Sequence, residues 1–184
     1  MKDKFLEKKL LYKVVVQKDP DAYAQLYDLY VEKIYRFVYY KVSSKTEAED
    51  ITSEVFLKAW NYLIDRKDDS VASFSGLIYK ITRNCIIDLY RKKARKVEAP
   101  LSEGEAITID MAESVHIRYE ADQVLALVGK LKSDYQEVIL LRYVDELEVK
   151  EIAEILGKSS TSVRVMIHRS LKKLEQLAAP GNDA

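Results

Sequence analysis

Apolar residues recur along this chain three and four positions apart, the spacing that gathers side chains on one face of a helix. From Asp19-Pro20, an N-cap followed by proline in the first turn, the series Leu26, Leu29, Tyr30, Ile34, Phe37 and Val38 predicts a long helix. A shorter one over Phe5–Val16 precedes it. Ser44-Lys45-Thr46-Glu47 has the form of a capping box. It opens a helix with Ala48, Ile51, Val55, Ala59 and Leu63 on one face and Asp50, Ser53, Glu54 and Leu57 on the other. The polar run 65–73 predicts a loop, and Phe74, Leu77, Ile78, Ile81, Cys85 and Leu89 predict a helix from Phe74 to about Arg95.

Between Val97 and Arg118 no period is sustained, and Pro100, Gly104 and scattered acids mark a linker. With a coil span of roughly 25 Å, such a segment lets two helical modules bind separate places on a large partner. The second module begins near Tyr119 with Val124, Leu125, Val128 and Leu131. It restarts at the box Ser133-Asp134-Tyr135-Gln136 and continues through Val138, Ile139, Leu141 and Arg142. It closes on Glu151–Arg169, which reads as two short helices around Gly157. Ala153 permits close approach, and Ile152, Leu156, Val163 and Ile167 face inward. Ser159 is the expected N-cap of the second helix, and Thr161, Arg164, Val165 and His168 point outward together. A helix-turn-helix makes DNA the first partner to test.

Composition narrows the picture. With 5 Gly and 3 Pro in 184 residues and 48% hydrophobic content, the expectation is an all-α protein with packed cores. The module boundaries are set at 1–96, 97–118 and 119–184. No window approaches the length of a membrane span and Met1–Lys9 holds no signal-like apolar core, so a cytoplasmic protein is expected. The single cysteine, Cys85, falls in an apolar series and reads as core. No metal or other cofactor is expected.

Net charge is zero, but it is unevenly distributed. Lys80, Arg83, Arg91, Lys92, Lys93, Arg95 and Lys96 stand against Asp88 alone. From Glu98 to Asp122 acids dominate, with Arg118 as the one cation.

Taken in order, Leu26–Tyr30, Ala48–Trp60, Phe74–Asn84, Val138–Tyr143 and the helix-turn-helix resemble the extracytoplasmic-function sigma factors, the two-domain branch of the sigma-70 family. The resemblance covers about Ala22–Lys96 and Val124–Leu177. It implies a non-enzymatic factor that brings bacterial RNA polymerase to promoters. The helix Ala48–Trp60 looks like the family's docking helix for the clamp coiled coil of the largest polymerase subunit. Asp50, Ser53, Glu54, Phe56 and Trp60 fall on the matching positions. Carboxylates suit a basic partner. Phe56 and Trp60, four residues apart, serve either as an apolar anchor or as core. Ser53 replaces the glutamine usual there.

The segment Asp65–Arg95 looks like the element that captures and melts the minus-10 region. Lys80, Arg83, Asn84 and Arg91 share a face suited to a phosphate backbone, and Ser70 lies in the loop where the family pockets a flipped base. Opening a stacked step costs roughly 1.4 kcal/mol, and one captured base returns about 1–3 kcal/mol, so strand capture offsets melting of a few pairs without a nucleotide-hydrolysing site. Leu77 replaces a common tryptophan.

In the second module the resemblance assigns minus-35 base edges to Thr161, Arg164, Val165 and His168. It assigns phosphates to Arg142, Ser160, Arg169, Lys172 and Lys173, and it implies a contact with the polymerase flap region. Many relatives are sequestered by an anti-sigma factor. The acidic linker fits either a segment that imitates nucleic acid inside polymerase or a solvating spacer. The rival reading is a stand-alone helix-turn-helix regulator that grips operator DNA without polymerase.

Overall fold

The computed structural model describes residues 2–42, 44–66, 71–97, 124 and 126–178. Every regular element among them is helical, as the spacing predicts. Chain contacts divide the molecule into two compact units, Met1–Ile107 and Thr108–Ala184. The expected linker, 97–118, lies outside the described residues apart from Val97. No described helix is long and apolar enough to cross a membrane.

The first unit contains α1 (Lys2–Gln17), α2 (Pro20–Val42), α3 (Lys45–Ile64) and α4 (Phe74–Val97). Asp19 caps α2, its carboxylate accepting the N–H groups of Asp21 (2.9 Å) and Ala22 (3.1 Å). Ser44 caps α3 by accepting the Glu47 N–H at 3.4 Å, whereas the Glu47 carboxylate crosses to Lys93 on α4 at 2.7 Å. α3 is the central strut, packed between α2 and α4, and α1 lies across α2 with further contacts to α3 and α4. The core comprises Leu10, Val14, Leu26, Ile34, Phe37, Val38, Val55, Ala59, Leu63, Phe74, Ile78 and Tyr79, all nearly inaccessible. Cys85 is buried as expected; burial pushes its thiol up, although Lys58 Nζ lies 3.6 Å from Sγ. The thiol is therefore expected to react with a maleimide at least about tenfold more slowly in the native chain than after unfolding, which a labelling time course checks.

In the second unit, residues 126–129 are helical, followed by α5 (Ser133–Ile139), α6 (Val149–Leu156) and α7 (Ser160–Ala178). The expected capping box at Ser133 is displaced by one residue: Lys132 is the N-cap and Ser133 the first helical position. Past Ile139 the chain widens into one π-turn, Leu140–Val144, closed by Asp145 N–H on the Leu140 carbonyl at 3.0 Å. That turn, with Glu146 at φ 57°, swings the backbone into α6. Val138, Leu140, Leu141, Ile152 and Val163 close the core, all fully buried.

Candidate functional site

The turn between α6 and α7 forms as its residues require. Gly157 takes φ 63°, the left-handed conformation that a Cβ resists, and the Lys158 N–H returns to the Ala153 carbonyl at 2.9 Å. Ser159 then caps α7 by accepting the Ser162 N–H at 3.1 Å. Val163 points inward at 0% exposure and Ile167 is half-buried, so the opposite face is open. Thr161, Arg164, Val165 and His168 stand exposed on that face, and Lys172 extends it by one turn. Arg169 is exposed to one side and Ser160 is half-buried in the first turn. Gly157→Ala has empty space for its methyl, so its cost is conformational alone. About 1 kcal/mol, read as a lower unfolding midpoint, is the expected result.

Arg142 does not join this face as a free cation. Its Nη1 donates to the Leu147 carbonyl at 2.9 Å, bracing the turn after the π-bulge. Lys173 leans toward Gln176 at 3.4 Å.

On α3, Asp50, Ser53 and Glu54 are exposed with Leu57 one turn further along. The Ser53 hydroxyl donates back to the Glu49 carbonyl at 3.0 Å. Glu54 pairs with Lys58 at 2.6 Å, and this contact leads the causes that raise the lysine's pKa. Phe56 belongs to the core at 4% exposure, its ring centroid 4.6 Å from that of Tyr27. α3 is gripped on two sides, by α2 and by α4, so its buried arc is wider than one stripe and takes in Phe56 beside Val55. The apolar surface is supplied instead by Leu57, 61% exposed, with Trp60, Tyr23 and Pro20 around a shallow depression floored by Phe56. Tyr23 packs 4.9 Å from Trp60 and donates its hydroxyl to the Phe56 carbonyl; burial holds its pKa well above the usual range. The outward position of Leu57 was evident from spacing, whereas the contribution of Tyr23 from α2 was not.

On α4, Lys80 and Asn84 are exposed, Arg83 is half-buried, and Arg91 is exposed with Asp88 3.5 Å away. Ile87, 38% exposed, lies between them on the same face. Ser70 lies outside the described residues. At the edge of that loop Arg66 stacks over Tyr62, 4.5 Å from the ring centroid.

Known proteins resemble this chain in both units. Residues 26–96 match the family model for sigma-70 region 2, and residues 121–174 match that for sigma-70 region 4. The chain is 33% identical to the extracytoplasmic-function (ECF) RNA polymerase sigma factor SigW of Bacillus subtilis over 179 residues, covering 89% of this chain and 92% of SigW. The chain belongs to the ECF sigma factors. The sigma factor BldN of Streptomyces coelicolor is 30% identical over 164 residues, and the match spans 61% of its length. The fold of this sigma factor is like that of CnrH, solved in complex with the cytosolic domain of CnrY, at a TM-score of 0.69 and 24% identity. That match covers 94% of this chain and 96% of CnrH. It is also like RpoE of Bartonella quintana, solved with the anti-sigma factor NepR, at 0.64 and 21%, covering 84% and 94%.

Proposed function

We propose that this sigma factor docks on core RNA polymerase through the outward face of α3, opens the minus-10 element along α4, and reads the minus-35 element with α7. The observation that carries the reading is the exposed row Thr161, Arg164, Val165 and His168 on a capped helix, in one chain with an α3 face that pairs carboxylates with exposed Leu57. Residues 1–96 form the docking and melting module and 119–184 the minus-35 module, with 97–118 as the linker.

Arginine can pair bidentately with guanine, and Val165 can meet a thymine methyl. On α4 the basic face supports strand capture, which needs electrostatics and stacking but no hydrolysis; the factor is not itself an enzyme. A chain of zero net charge binds bare DNA weakly, so attachment to polymerase supplies most of the hold and limits stray binding. It acts in the cytoplasm, where polymerase and promoter are, and an anti-sigma factor that covers the α3 or α4 face would silence it.

Co-purification with core polymerase, followed by gel shift with and without polymerase, tests the reading. Sequence-specific shifts only in the ternary mixture are expected. Tight operator binding by the chain alone, as a dimer on paired half-sites, would instead establish a stand-alone regulator.

A further inference from the structure

We propose that α1 is a positioning element for the promoter-melting surface, with Glu7 and Lys18 fixing the two ends of the α3–α4 connection so that α4 presents its DNA face in one orientation. The inference rests on the reading above, in which α4 engages the opened strand, and adds two residues that neither docking nor base contact uses.

A helix begins with backbone N–H groups that have no partner within it. At α4 these are shared between near and distant acceptors. The Gly76 N–H reaches Ser73 Oγ at 3.1 Å, and the regular ladder starts with the Leu77 N–H on the Ser73 carbonyl at 3.3 Å. The first two, of Phe74 and Ser75, go to a single carboxylate oxygen of Glu7, at 2.7 and 3.2 Å. The other Glu7 oxygen accepts the Tyr30 hydroxyl. Glu7 is 7% exposed, and a carboxylate so far from water is retained only where donors and positive charge compensate it. Two amides at the positive end of a helix and one phenol meet that need.

The far end of α1 mirrors this at the other side of the connection. Lys18 sits at φ 55°, where glycine would fit without strain. Glycine, however, would lack the ammonium that Lys18 directs onto the Leu63 carbonyl at 3.3 Å and onto that of Arg66. These are carbonyls at and just past the end of α3, where the helix supplies no N–H of its own and its dipole is negative. One rigid helix thus holds an anion against the start of α4 and a cation against the end of α3. From Glu7 to the helix end at Gln17 the backbone rises about 15 Å, at 1.5 Å per residue. The end of α3 and the start of α4 are therefore tied to one rigid segment.

A transcription assay with two templates separates positioning from plain stability. Holoenzyme is reconstituted from the full chain and core polymerase, then given either a duplex promoter or the same promoter with its minus-10 element held open by mismatches. Glu7→Gln keeps the shape but removes the charge, and Lys18→Met keeps the stem but removes the ammonium. Each is expected to slow opening of the duplex roughly tenfold, the scale of losing one charge-assisted contact. Each should leave polymerase affinity near wild type and recover most of the lost rate on the mismatched template. Should Glu7→Gln fail to fold and lose polymerase binding, Lys18→Met decides alone. Wild-type opening rates on the duplex, or equal losses on both templates, would overturn the inference. Failure of the wild-type chain to open either template would instead sink the reading on which it rests.

Discussion

Leu57→Arg is expected to weaken binding to core polymerase by about 100-fold, roughly 3 kcal/mol, while leaving the unfolding midpoint within a degree or two. The two expectations come from one geometry. Leu57 is 61% exposed and touches the depression around Trp60 and Tyr23 only at its rim, so the isolated chain has little to lose. In a docked complex the same side chain would be desolvated, and a guanidinium there would face a basic partner without an opposite charge. Phe56→Ala is the contrasting control. Its ring packs inside the unit, so it should cost about 3–5 kcal/mol of stability and lose binding through unfolding. Calorimetry beside a polymerase-binding titration distinguishes the two. Unaltered affinity for Leu57→Arg would move the docking surface off this part of α3.

At the other end of the chain, Arg164→Ala should cost about 1–3 kcal/mol of discrimination at one minus-35 position and little at its neighbours. Arg164 stands exposed between Thr161 and His168 in the row facing away from the core, where a guanidinium can reach a base edge. Lys172, two turns further along the same row, should behave differently. Its alanine variant is expected to weaken all promoter variants alike and to lower the salt dependence by about one counter-ion, the signature of a phosphate contact. Transcription from a panel of single-base promoter variants at two salt concentrations reads both effects. If Arg164→Ala changes every promoter equally, its contact is with phosphate and the base assignment fails.

Periodicity was a good guide to where the helices run, as α2, α3 and α4 show. The left-handed Gly157 and the Ser159 cap follow from local chemistry that three or four residues determine. Where the outcome depends on a distant segment, the sequence is silent. The Glu7 carboxylate sits in an ordinary-looking lysine-rich segment, and its role is set by α4, 67 residues away. Phe56 could be read as anchor or as core because the choice depends on how many helices surround α3. The π-turn after α5 leaves the apolar series intact while redirecting the backbone, so Arg142 braces the Leu147 carbonyl although its position in the series gives no sign of it. The displaced cap at Lys132 is a smaller case: Ser133 has the right chemistry, but the helix begins one residue earlier than the box requires.

The division of labour between the two units is tested most directly by mapping transcript 5′ ends made by purified core polymerase on bacterial genomic DNA, with and without this chain. The account predicts a discrete set of start sites that appears only when both are present, preceded by two common elements at a fixed spacing. Loss of the upstream element's influence is expected with Arg164→Ala, and loss of all starts with Leu57→Arg. Start sites unchanged by adding the chain, or a chain that never associates with polymerase, would contradict it.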